Sequence, residues 1–286
     1  MNPTRSVAHL LKDVEESLTP HTATPGLDSQ VLLAHVLGES RTWVLAHPEA
    51  TLKEEQEQEL ADSVDRLVQG EPLPYVLGVW EFYGMPFRVT PAVLIPRPET
   101  ELLVEAALDW LQDRPERRFA ADVGTGSGCI ATALAANLPD LRLIASDASL
   151  AALLVARENL QQNGVSEQVL LVQSDLLPPV AARFDLICAN LPYIPGGTLA
   201  NLPVARYEPH LALSGGESGL DLIRRLLEQA PNRLAPGGIV LLEIEADQGA
   251  EVQDLAREAF PEADIQLQAD LAGLDRLVTI QQPDAR

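Results

Sequence analysis

Apolar residues in the first seventy positions recur at helical spacing. Leu10, Leu11, Val14 and Leu18 form one stripe of the 3, 4, 7 kind, which predicts an amphipathic helix with one buried face. The stretch from Asp28 to Ser40 predicts a second helix, with Asp28 as its N-cap and Gly38 near its stop. A third runs from Leu52 to Gly70. Leu60, Val64, Leu67 and Val68 face inward there, and the acidic run forms a solvated face. From residue 70 to 101 the pattern breaks into short β-like runs rich in Pro, Gly and aromatic residues, which predicts a hairpin between two domains. Pro96 and Pro98 flank Arg97 and stiffen the backbone around it. A helix is expected from Glu99 onward.

After Arg117 a regular alternation begins, with apolar runs such as FAADV, LRLIASD, VLLVQSD and FDLICAN separated by helical patterns. Strands this apolar, alternating with helices, predict a parallel sheet covered on both faces. ADIQLQAD and RLVTIQQ read as a closing strand pair. The expected organisation is a helical domain over residues 1–75, a hairpin linker over 76–95 and an α/β domain over 96–286, with the boundary at about residues 85–95.

The net charge of −22 over 286 residues is spread along the chain. An acidic surface repels phosphate backbones and anionic membranes, so direct binding of nucleic acid is not expected. No run of about 18 apolar residues occurs, and the N-terminal pattern carries charges, so neither a membrane span nor a signal peptide is expected. The expected location is cytoplasmic. Cys129 and Cys188 lie in apolar runs and are expected to be buried, reduced thiols. Four of the five histidines fall in the first fifty residues without metal-ligand spacing to either cysteine, so no metal is expected.

Candidate chemistry begins at ADVGTGSGCIA, a strand-to-helix turn with Gly124, Thr125, Gly126, Ser127 and Gly128. Glycines let a backbone turn sharply and approach a ligand, and the helix start behind them offers free N–H groups. The G-x-G-x-G spacing differs from the dinucleotide fingerprint, and no Walker lysine follows. It resembles motif I of the class I S-adenosylmethionine-dependent methyltransferases. Asp147 ends the next strand, where an acid can accept ribose hydroxyls; it could also cap the following helix. Asp175 ends the third strand and could accept an adenine amino group, with Leu176 packed on the ring.

The fourth strand delivers Asn190 to the carboxyl edge, followed by Leu191, Pro192 and Tyr193. An amino group on an sp² carbon is a poor nucleophile because its lone pair is delocalised. Two acceptors, the Asn190 side-chain oxygen and the carbonyl of residue 191, can orient its N–H bonds, and Tyr193 can stack on its plane. Pro192 with Gly196 and Gly197 makes a loop that could close over a substrate.

Here the chain resembles a known family, the HemK/PrmC release-factor glutamine N5-methyltransferases. GEPLPYVLG, EFYGMPFRV, LIPRPETE, DVGTGSGCIA, YEPHLAL and GLDLIRRLL carry the resemblance, which covers essentially the full length. It implies a Rossmann-like, mostly parallel seven-stranded sheet with an antiparallel last strand, preceded by a small helical domain that grips a release factor. The implied cofactor is S-adenosyl-L-methionine. The implied substrate is the glutamine of the Gly-Gly-Gln motif in class 1 peptide-chain release factors. Gly124 to Gly128 and Asp147 then match the donor site, and Asn190 to Tyr193 the substrate motif. Arg97 and Glu99 would shape the donor side of the pocket. Two positions depart from the family pattern: Leu191, where Asn-Pro-Pro-Tyr is usual, and Glu245, where glycine is commoner.

Two other readings stand beside it. Asn-Leu-Pro-Tyr is also similar to the ribosomal RNA dimethyladenosine transferases, so an N6-adenine methyltransferase is the alternative. The charge and the IPRPETE segment count against it. A non-catalytic protein that kept the fold is disfavoured by the intact set of Gly124, Gly126, Asp147 and Asn190.

Overall fold

The computed structural model describes residues 5–284, which form two compact units dividing between Val79 and Trp80. The first unit contains α1 (Val7–Leu18), α2 (Pro25–Leu37), α3 (Arg41–Ala46), α4 (Glu54–Val68) and α5 (Leu73–Leu77). Val7, Leu10, Val14 and Leu18 from α1 pack with Leu32, Leu33, Val44 and Leu60 in one core. Helix α2 starts a turn earlier than the sequence pattern predicted, with Thr24 as N-cap and Pro25 at the first helical position. Asp28 lies in the first turn instead, where its carboxylate accepts the Thr22 and Thr24 hydroxyls at 2.6 and 3.1 Å. Gly38 ends α2 in the left-handed region at φ 69°. The short α3 and α5 were not foreseen; α5 folds GEPLPYVLG, which had been read as part of the β-like break.

The hairpin is β1 (Val79–Phe82) and β2 (Met85–Arg88). Its two-residue turn has Tyr83 and Gly84 at φ 52° and 70°, the pair of positive φ values that matches strand twist. The expected 76–95 linker is therefore not a separate piece. Phe82 and Phe87, in edge contact at 6.1 Å, belong to the core of the second unit, because their buried area is satisfied there.

The second unit continues as α6 (Glu101–Gln112), β3 (Phe119–Val123), α7 (Cys129–Asn137), β4 (Arg142–Asp147), α8 (Leu150–Gln162), β5 (Val169–Gln173) and β6 (Phe184–Ala189). Then follow α9 (Gly196–Leu199), α10 (Asp221–Gln229), β7 (Leu234–Glu243), α11 (Gly249–Ala259), β8 (Asp264–Ala269) and β9 (Asp275–Gln281). The seven-stranded sheet has the order β5-β4-β3-β6-β7-β9-β8, and β9 runs antiparallel to both neighbours. Successive residues of one strand serve opposite cores, as pleating requires. Leu186 and Cys188 of β6 join the core that holds Leu103 and Leu134, whereas Ile187 and Ala189 join the one that holds Leu226 and Phe260. Apolar side chains on both faces explain why the strands show no polar alternation. No helix of the described residues is long and apolar enough to cross a membrane.

Candidate active site

The strand order reverses between β3 and β6, and the loops that leave their carboxyl ends diverge from there. Val123 and Ala189 are register partners, so Gly124 and Asn190 leave the sheet side by side. A cleft of about 260 Å³ opens above them, lined by Gly124–Ser127, Asp147, Leu176, Asn190 and Arg97 among others.

The glycine turn is held by main-chain bonds. Gly124 N–H and Thr125 N–H both donate to the Ser146 carbonyl, at 2.8 and 2.9 Å. Gly126 N–H donates to Asp147 Oδ2 at 2.9 Å, and Ser149 N–H to Asp147 Oδ1 at 2.8 Å. Gly124 sits at φ 74°, and a Cβ there would lie 3.0 Å from Leu191 Cδ2. Gly128 does not line the cleft. It caps α7 at φ 80°, where a Cβ would lie 3.1 Å from Ala156 Cβ, so this glycine serves the approach of α7 to α8. Beneath the turn, the buried Asp122 carboxylate accepts Thr125 Oγ1 at 2.6 Å and Ala131 N–H at 3.2 Å on one oxygen. The other has no partner, and burial pushes the group up to about 6.

Asp147 lines the cleft with its carboxyl raised by burial, an effect partly offset by the N–H bonds of Ser149 and Gly126. Each oxygen keeps a lone pair for a further donor. Asp175 stands exposed at the lip, ion-paired with Arg225 at 2.5 Å. Leu176 is buried in the left-handed region at φ 65°, and its carbonyl accepts the Ser146 hydroxyl at 3.0 Å. A branched side chain seldom adopts that conformation, and here it turns toward the cleft.

On the opposite rim, Asn190 Nδ2 donates to Thr100 Oγ1 at 3.0 Å. Leu191 is buried, with its side chain packed against Gly124. Tyr193 lines a second, smaller cavity of about 90 Å³, shared with Arg97, Asn190, Leu191 and Pro192. Burial pushes its phenol up to about 12. The segment beyond Pro192 is not the open loop expected. It is folded into α9 and pinned: Tyr193 O accepts Gln248 Nε2 at 3.1 Å, Ile194 N–H donates to Leu213 O at 3.1 Å and Gly196 N–H to Gly216 O at 2.9 Å.

Arg97 borders both cavities, with one guanidinium nitrogen 2.5 Å from Glu208 Oε1. The other Glu208 oxygen accepts Ile95 N–H at 3.2 Å, so a carboxylate only 4% exposed staples the Pro-rich segment to the YEPHLAL stretch. Glu99 is exposed and lines neither cavity. The 3₁₀ turn Pro98–Thr100 directs it outward and turns its neighbour Thr100 inward. Sequence reasoning missed Thr100, Glu208, Arg225 and Glu243. The first three sit inside quoted motifs, but nothing in spacing said which motif residue would face the cleft.

The helical unit and the sheet-bearing unit have separate counterparts among known families. Residues 9–78 match the PrmC N-terminal domain and residues 99–205 the methyltransferase small domain. A release factor glutamine methyltransferase of Moorella thermoacetica is 45% identical over 88% of this chain and 89% of its own length. The chain belongs to the release factor glutamine methyltransferase family. A Bordetella pertussis member is 40% identical over 94% of this chain and 97% of its own. Among solved structures, a T. thermophilus 16S rRNA N2 G1207 methyltransferase in complex with AdoMet and guanosine has a TM-score of 0.53. It is 22% identical over 71% of this chain and 49% of its own, a likeness of fold.

Against the family's usual Asn-Pro-Pro-Tyr, Leu191 is buried with its side chain against Gly124, and it still borders both cavities. Glu245 replaces a common glycine without strain, because among the described non-glycine residues only Tyr83 and Leu176 have positive φ. Its N–H donates to Gln248 Oε1 at 3.1 Å, in the same contact set that holds Tyr193.

Proposed function

We propose that the chain transfers a methyl group from S-adenosyl-L-methionine to the side-chain amide nitrogen of the glutamine in the Gly-Gly-Gln motif of class 1 release factors, and that the helical unit helps to grip that protein. The observation that carries the reading is the juxtaposition, at one sheet edge, of a glycine turn backed by Asp147 and an asparagine amide. Two neighbouring cavities meet at Asn190, one for each reactant.

The residues present fit the methyl donor. Gly126 leaves space where a Cβ would stand, at φ 55°, and Asp147 retains lone pairs for ribose hydroxyls. Asp175 and Leu176 are proposed to meet the adenine, with Arg225 holding one carboxylate oxygen of Asp175. When bound, the donor supplies an electrophilic methyl on a sulfonium. The chain's own part is orientation. Asn190 Oδ1 and the Leu191 carbonyl accept the two N–H bonds of the acceptor amide, which aims its lone pair at the methyl carbon. Tyr193, whose raised phenol pKa keeps it neutral, offers a stacking face and not a base. Held there, the donor would give up its methyl to the amide nitrogen while its sulfur keeps the bonding pair, and the methylated nitrogen would release its proton to water.

The test is transfer from labelled donor to purified release factor, to its Gln→Ala variant and to ribosomal RNA. Label on the native release factor alone is expected. Label on RNA alone would overturn the reading.

A further inference from the structure

A carboxamide can present its oxygen or its nitrogen, and a planar amino acceptor requires the oxygen. Main-chain geometry cannot choose between them. At Asn190 the choice is made by groups behind it. One amide hydrogen goes to Thr100 Oγ1 at 3.0 Å. Beside them burial pushes the Glu243 carboxyl up to about 7, an effect that Thr100 and Asn190 partly offset by presenting their polar hydrogens to it. The Thr100 oxygen accepts the amide hydrogen, and the Glu243 carboxyl stands on the same side, so the amide nitrogen faces acceptors. The oxygen is left to face the cavities.

The arrangement follows from the sheet. Ala189 and Leu242 are register partners on β6 and β7, so Asn190 and Glu243 emerge together. Thr100 reaches them from the turn before α6. Thr100 and Glu243 are each 2% exposed, and Glu243 Oε2 has no hydrogen-bond partner. A carboxylate kept in such a place, between the buried Leu242 and Ile244, costs stability that packing alone would not require.

We propose that Thr100 and Glu243 are positioning residues that lock the Asn190 amide with its oxygen toward the acceptor, and so restrict the substrate to planar nitrogens donating two N–H bonds. This rests on the role given to Asn190 in the proposed function. The experiment uses the full chain, single-turnover methylation of release factor and calorimetric donor binding. Thr100→Val and Glu243→Gln are expected to slow transfer about tenfold to a hundredfold. The donor Kd and the release-factor KM should stay within about twofold, the KM-against-kcat split of a reactive-geometry defect. Thr100→Ser, which keeps the hydroxyl, restores the rate.

Native rates in Thr100→Val would overturn the proposal, as would Thr100→Ser falling as far as Thr100→Val. So would a rate loss matched by equal losses of donor affinity and melting temperature, which would mark a structural role. Should Glu243→Gln fail to fold, Thr100→Val and its serine rescue decide alone. A native protein that methylates a different planar nitrogen would defeat the glutamine reading. The Thr100 comparison on that acceptor would still test the lock.

Discussion

The two loops that meet at the reactive edge are built in opposite ways. The glycine turn after β3 is shaped by main chain: positive φ values, N–H bonds to the Ser146 carbonyl, and one carboxylate, Asp147, that follows directly on the next strand. The asparagine loop after β6 is shaped by side chains from distant segments. Thr100, Glu208, Glu243 and Gln248 approach it or its Arg97 neighbour from four places in the chain. A donor common to many methyltransferases can be cradled by backbone and a single carboxylate. On the proposed reading, an acceptor held by two N–H bonds needs a side chain whose rotation is controlled.

Replacing one side chain on each loop should therefore give different defects. Asn190→Ala is expected to lower the transfer rate by about a hundredfold to a thousandfold, as loss of an oriented polar partner does. Donor affinity should change less than about twofold. Single-turnover rates beside calorimetric donor binding check this, and retained turnover with a large loss of donor affinity would collapse the division. Next in size is Gly219→Ala. A Cβ at Gly219 would stand 2.4 Å from Tyr193 O, and the position has φ 83°. The cost is on the order of 2 kcal/mol, read as a lower denaturation midpoint. Transfer should suffer with it, since the clash falls on the carbonyl that Gln248 holds.

The same division explains what was legible beforehand. Glycine spacing, strand ends and apolar runs are local, so the turn at 124–128, Asp147 and Asn190 could be placed from sequence, whereas the seven-stranded sheet with its antiparallel last strand followed from the family resemblance and its strand order from the structure alone. Thr100 and Glu243 lie 90 residues before and 53 after Asn190 in numbering, and only sheet register brings them together. Glu99 was chosen over Thr100 because charge draws attention in a sequence, whereas a 3₁₀ turn decides which residue faces inward. Gly128 was assigned to the donor because it completes a motif. Its φ and its neighbour Ala156 show a glycine needed for helix packing.

On the donor side, Asp147→Asn should weaken S-adenosylmethionine binding about tenfold while the rate at saturating donor stays within about threefold. The charged acceptor is lost, and the single amide oxygen can keep only one of the Gly126 and Ser149 N–H bonds. Titration calorimetry followed by saturating single turnovers separates the two numbers. Equal losses in both would mean that the turn and the asparagine loop are coupled more tightly than their construction implies.

The smallest effect concerns Asp122, which lies under the glycine turn and touches neither cavity. Its folded value of about 6 stands above the ordinary 3.8 because burial outweighs the Thr125 and Ala131 bonds. A raised acid binds its proton more tightly when folded. The stability it contributes is complete below the unfolded value and is lost as pH rises through 6. Between pH 7.5 and 5 the native protein should gain about 1 kcal/mol relative to Asp122→Asn, seen as a difference of a few degrees in the pH dependence of melting. The asparagine oxygen can still accept both bonds, so donor affinity should stay near native. A pH-independent difference in melting temperature would show that Asp122 is kept for its shape under the turn and not for its charge, and the cradle would then be main chain throughout.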